Sequence, residues 1–112
     1  LGYGCRQCVS YVAWRVYKET GYAPVNWGNA YDWPSSGRAA QFKVTSQPRE
    51  RSAAVLTTGG SPGHIVWVES IDQSNGTMIV SQYNYLNAGG SGWGHYSKME
   101  VPIGTYQQYI YF

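Results

Sequence analysis

The sequence predicts an α+β fold with a single antiparallel sheet. Apolar residues recur at helical spacing over residues 7–20, and the texture turns to β from residue 42 onward. An Asn-Gly turn joins the two clearest β runs. In the helix, Val9, Val12, Ala13 and Val16 form one stripe, with Arg15, Lys18 and Glu19 largely on the other side. Gly21 suits the position just past the helix end, and Pro24 forbids early continuation. Residues 22–40 are turn-rich; Asn29 caps a short helix through Ala30, Tyr31, Asp32 and Trp33, which Pro34 limits. The predicted strands are Phe42–Thr45, Ala53–Thr57, His64–Ile71 and Thr77–Tyr85, the last two joined by the turn Asp72–Gly76. Residues 58–63 read as a loop, and 86–94, with Gly89, Gly90, Gly92 and Gly94, as a longer one. Tyr96–Val101 and Tyr106–Phe112 complete an antiparallel meander. Trp14, Trp33 and Trp67 are assigned to the core.

A chain of 112 residues supports one domain with a single small core. Charged residues are 12% and aromatics 16%, the reverse of a disordered chain. The net charge of +2 is scattered, with only Arg49 and Arg51 close together, which argues against nucleic acid. A weak positive bias suits an anionic polymer such as a bacterial wall. No apolar run is long enough for a membrane-spanning helix. The chain begins at Leu1 with no leader pattern and reads as a domain excised from something longer, or as a processed product, so the missing leader says nothing about secretion.

The chemistry centres on Cys8, placed at the start of the first helix. A helix N-terminus and a nearby imidazole both favour the thiolate, the form that attacks carbonyls. The imidazoles are His64, which opens a strand, and His95, after the glycine-rich loop and more suited to a surface or groove position. Cys8 also suits plain packing, since free cysteine is among the most buried residue types. Cys5 and Cys8 form C-x-x-C, but the parallel βαβ pattern of a redox domain is missing. Zinc needs more ligands than the pair supplies, and no calcium loop is present. The hairpin about Asn75 brings His64 and residues 82–85 to one open end, where facing Cβ atoms lie about 5 Å apart. Positions 82 and 84 share a face and are both amides, Gln82 and Asn84, either of which can orient a ring nitrogen. Glu69 reads as a satisfied polar group or an edge charge. Trp27, Tyr83, Tyr85 and Trp93 flank the hairpin end or the glycine loop; they suit stacking on sugar or D-amino-acid faces, and equally suit a core.

Four segments carry a family resemblance. Arg6-Gln7-Cys8-Val9-Ser10-Tyr11-Val12 resembles G-Q-C-T-x-Y-V, and Gly28-Asn29-Ala30 with Trp33 resembles G-N-A…W. Gly63-His64-Ile65-Val66-Trp67-Val68-Glu69 resembles G-H-V-A-x-V-E, and Val80-Ser81-Gln82-Tyr83-Asn84 resembles V-S-E-x-N. Their order and spacing resemble the CHAP family, the cysteine- and histidine-dependent amidohydrolases/peptidases related to NlpC/P60 proteins. The resemblance implies a papain-like fold with N-terminal helices on one face of a mostly antiparallel sheet, and 1–112 as a single catalytic domain. It implies peptidoglycan as substrate, cut at the muramoyl-L-alanine amide or at a stem or cross-bridge peptide bond. Cys8 is then the nucleophile, His64 the base, and Gln82 and Asn84 the orienting groups. The Cys8 backbone N–H and the Gln7 side chain are candidate oxyanion donors. No cofactor or metal is implied. The expected partners are the wall and an immunity or targeting domain, without nucleic acid or membrane insertion. The expected state is a secreted or wall-associated monomer, or part of a phage lysin. The sequence departs from the pattern at Arg6 (usually Gly), at Gln82 (often Glu) and over 49–58, and a wall-binding module of the same fold is the competing reading.

Overall fold

The computed structural model describes residues 5–58, 63–85 and 94–112. Helix α1, Cys5–Thr20, starts two residues earlier than the sequence predicts. Cys8, Val12 and Val16, spaced at i, i+4 and i+8, make its fully buried stripe. Gly21 ends it at φ +83°, a left-handed conformation, and its N–H donates to the Tyr17 carbonyl at 2.8 Å. Trp14 is a correction: it is 52% exposed on the outer face, with the Lys18 ammonium 5.1 Å from its ring centre. Tryptophan's bulk suggested a core, but its place on the helix puts it off the Cys8–Val16 stripe.

A 3-10 turn, Ala30–Asp32, leads directly into helix α2, Trp33–Ala39. The Asn29 N–H donates to the Asp32 carboxylate at 3.1 Å, so the cap works through Asp32. Pro34 does not limit the helix as expected. It stands in the first turn of α2, where a missing N–H forfeits no helical bond and the fixed φ is already suitable. Trp27, Trp33, Phe42 and Phe112 cluster beside α2, with ring centres 4.9 Å apart for Trp27–Trp33 and for Phe42–Phe112.

The six strands are β1 (Lys43–Thr45), β2 (Ser52–Leu56), β3 (His64–Asp72), β4 (Thr77–Tyr85), β5 (Gly94–Pro102) and β6 (Gln108–Tyr111). They form one antiparallel sheet in the order β1-β6-β2-β3-β4-β5. The meander expected from the sequence holds for β2 to β5. The last strand departs from it, returning to lie between β1 and β2, with Ile110 opposite both Val44 and Ala53. At the β3–β4 turn, Asn75 donates from its backbone and side-chain N–H groups to the Asp72 carboxylate, at 3.2 and 2.8 Å.

Strand alternation divides the core. Ala53, Val55, Ile65, Trp67 and Ile110 pack with the α1 stripe. Ala54, Val66, Val68, Met78, Val80 and Tyr109 form a second cluster with Tyr106 and Val101. β2 is buried on both faces, which explains its unbroken run of small apolar residues.

Tyr106 and Tyr109 are almost fully covered in that second cluster. Burial pushes the Tyr106 phenol up to about 12, and the neighbouring Tyr109 adds to the rise. A pKa raised by folding contributes stability that is complete below the unfolded value near 10 and is lost as pH climbs to about 12. Denaturant titrations at pH 9 and pH 12 should therefore show a loss of about 2 kcal/mol from this group. Tyr106→Phe should remove that part of the alkaline loss; an unchanged alkaline transition in Tyr106→Phe would assign it elsewhere.

Candidate active site

His64 is the first residue of β3, and the residue before it fixes its approach. Gly63 has φ +77°, and a Cβ there would lie 2.9 Å from the Tyr31 backbone nitrogen and 3.1 Å from the Leu56 carbonyl. Only glycine lets the strand entry press against the 3-10 turn. Gly28, before that turn, has φ +87°, and a Cβ there would meet the Asp32 carboxylate at 2.9 Å. The G-H segment thus lies directly against the residue that follows G-N-A, Tyr31.

His64 Nε2 lies 2.7 Å from Gln82 Oε1. The register Trp67–Ser81 and Val68–Val80 makes this a diagonal cross-strand pair on one face. An amide oxygen only accepts, so Nε2 carries the proton and Nδ1 keeps its lone pair. Gln82 is 4% exposed, and its Nε2 faces Met99 Sδ at 3.2 Å and Ser97 Oγ at 3.5 Å on β5. The half-buried imidazole is therefore backed by a dry, fully engaged amide.

Cys8 is a fully buried cysteine in the first turn of α1, within the positive end of the helix. It belongs to the same cluster as Ile65, the neighbour of His64. Alternation puts Ile65 on the α1 face, with Cys8, and His64 on the other, at the open end of β3.

A polar network anchors α1 to this hairpin. The Tyr11 hydroxyl donates to Ser81 Oγ at 2.8 Å, and Ser81 Oγ donates to the Glu69 carboxylate at 2.7 Å. Arg15 engages both Glu69 oxygens, at 3.0 Å for Oε1, and reaches Glu19 at 3.0 Å. Glu69 occupies the β-bulge of β3, where the register to β4 shifts. Burial pushes the Glu69 carboxyl up, but the Arg15 and Ser81 hydrogen bonds and the Arg15 charge outweigh it and hold it below its usual value. Hydrogen bonds to Glu69, Tyr11 and Glu19 in turn hold the Arg15 guanidinium more firmly charged. Glu69 is therefore a satisfied structural carboxylate, as the sequence suggested.

Among the other residues singled out from the sequence, Tyr83 is half-buried on β4, and its register position puts it on the α1 side. Trp27 is 8% exposed with its ring inside the aromatic cluster, so its place is in the core rather than on a stacking platform. The backbones of Asn84 and Tyr85 belong to β4, and that of Gln7 to α1. The side chains of Gln7, Asn84, Tyr85 and His95, and Trp93 entirely, lie outside the described residues. No three His, Cys, Asp or Glu side chains converge among the described residues. Sequence reasoning missed Tyr11, Arg15, Ser81, Ser97 and Met99. A signal existed for Arg15: it lies seven residues after Cys8, two helical turns on and on the same side.

Two helices on a six-stranded antiparallel sheet, with a helix-borne thiol and a strand-borne imidazole, make the papain-like α+β architecture. The chain belongs to the CHAP domain family, whose model matches residues 1–84. It is similar to the staphylococcal secretory antigen ssaA2 of Staphylococcus aureus strain NCTC 8325, 39% identical over 83 residues, which are 74% of this chain and 29% of that protein. It is also similar to the staphylococcal secretory antigen SsaA of the same strain, 35% identical over 88 residues, 79% of this chain and 32% of that protein. The chain thus spans about a third of the length of these relatives. The crystal structure of an N-acetylmuramoyl-L-alanine amidase from Staphylococcus aureus shares the fold, with a TM-score of 0.71 at 24% identity, over 93% of this chain and 30% of that one.

Proposed function

We propose that this chain is a catalytic domain that hydrolyses an amide bond of peptidoglycan through the Cys8 thiol, with His64 as general base. The observation that carries this reading is the His64–Gln82 contact at 2.7 Å, which leaves Nδ1 as the free basic nitrogen of an oriented imidazole. Family membership and the fold shared with an amidase support the substrate class.

In this mechanism Nδ1 takes the Cys8 proton and the thiolate sulfur bonds to the scissile carbonyl carbon. The resulting oxyanion sits near the amides of the α1 entry, where Gln7 also lies. The imidazolium gives its proton to the leaving nitrogen as the C–N bond breaks, and a thioester remains. Neutral His64 then takes a proton from water; the hydroxide displaces sulfur, and the acid product leaves. Gln82 holds the ring throughout, and Asn84 at the same strand end is its partner in that role. Tyr83, Tyr85 and Trp93 are the aromatic candidates for stacking on the glycan or stem peptide. The domain acts outside the cell on the wall, as a monomer, within a longer protein that carries a targeting or immunity module. The names of the secretory antigens it resembles support that location.

Full burial of Cys8 favours a second reading, a wall-binding module that keeps the fold but not the chemistry. Incubating the protein with defined peptidoglycan and weighing the released fragments separates the two. A new muramoyl end marks an amidase and a new peptide end an endopeptidase. No fragment, together with a Cys8 thiol that iodoacetamide fails to alkylate at pH 6, would leave the binding module.

A further inference from the structure

We propose that Met99 is a positioning residue: it fixes the direction of the Gln82 amide and through it selects the tautomer of His64. The inference rests on His64 being the base. Where a relative carries glutamate at this position, both carboxylate oxygens accept, so either one holds the Nε2 proton. A glutamine has two unlike ends. Turned one way, its oxygen faces His64 and Nδ1 stays unprotonated. Turned the other way, its N–H2 donates to Nε2, the proton moves to Nδ1, and the base is disabled toward the thiol. An amide at position 82 therefore needs a second contact that tells its ends apart.

β5 supplies that contact. His64, Gln82, Ser97 and Met99 run as a row across β3, β4 and β5 on one face. Gln82 pairs directly with Ser97, and Met99, two residues on, is its diagonal neighbour. Gln82 Nε2 lies 3.2 Å from Met99 Sδ and 3.5 Å from Ser97 Oγ. The Ser97 hydroxyl can donate or accept, so it tolerates either end of the amide. A thioether only accepts, so Met99 is the contact that discriminates, favouring the N–H2 end and repelling the oxygen. With Gln82 buried at 4% exposure, water cannot take over that role.

The test uses the whole chain labelled with 15N-histidine. It contains His64 and His95, so a His95→Gln variant assigns the spectrum. At a pH where the ring is neutral, the wild type should show His64 protonated at Nε2 and bare at Nδ1. Met99→Leu keeps the volume and removes the acceptor. It should move the ring toward the Nδ1-protonated form and lower kcat by about three- to tenfold with KM unchanged. In a Gln82→Glu background, Met99→Leu should change neither readout, because a carboxylate has no direction to lose. A wild-type tautomer in Met99→Leu, or an equal fall in kcat in the Gln82→Glu background, would overturn the proposal and reduce Met99 to packing. A tautomer shift with hydrolysis untouched would keep the positioning role and remove His64 from the chemistry.

Discussion

Cys8→Ala should lower peptidoglycan hydrolysis by about 10⁴-fold or more, as removal of a nucleophile does in enzymes whose catalytic residues act as a unit. The folded state should survive. Cys8 fills the end of the α1 stripe in the cluster that also holds Ile65, and alanine at that place removes one sulfur atom and keeps the helix. The packing loss is about 1 kcal/mol, well below the stability of an ordinary domain. Clearing of a wall suspension, read beside thermal melts of both proteins, checks the two halves together. Wall cleavage retained by a folded Cys8→Ala protein removes the thiol mechanism. His64→Ala should fall by a comparable factor rather than adding to it, since the thiol is weak without its base.

Trp67→Ala should cost about 3–5 kcal/mol and lower the melting temperature by about 10–20 °C. The indole is fully buried on β3, between Ala53 of β2 and Ser81 of β4, and under α1. Alanine leaves a cavity beneath the helix that bears Cys8, with small Ala53 unable to fill it. It also removes the surface on which the Arg15 guanidinium rests, 5.5 Å from the ring centre. One opposing effect exists: Trp67 Nε1 is buried with no hydrogen-bond partner, so its deletion relieves part of the loss. Trp67→Phe separates the contributions, because it keeps a ring and drops the orphaned N–H. Urea unfolding of the three proteins should rank wild type and Trp67→Phe close together and Trp67→Ala far below. A Trp67→Ala protein as stable as wild type would show that α1 is held by its polar network instead.

Local patterns made most of this fold legible. The 3.6-residue stripe gave α1, and Asn75-Gly76 between two β-branched runs gave the hairpin with His64 and Gln82 at one end. Two residues forming a diagonal pair within one hairpin need only the turn position to be brought together. What stayed hidden depends on distant partners. No local signal tells β6 to enter between β1 and β2, because that choice is made by Ile110 packing on the α1 face. Arg15 looked like a solvent-facing charge until Glu69 stood opposite it on the bulge of β3. Met99 carries no motif, and its meaning comes from facing an amide across a strand.

The place of β6 also bears on how the domain comes into being. Residues 43–45 and 52–55 never touch one another as strands; both wait for residues 108–111 to fill the space between them. Such pairings span about half the chain or more, and contacts of that range are the slow ones to form. A nascent chain that has reached residue 105 holds α1 and the β2–β5 meander, with Ile110 missing from the core beneath Cys8's helix. Assembly of the sheet is therefore gated by β6, which follows both of its partner strands in the chain. A domain built this way keeps an open gap between two of its strands until that one segment arrives.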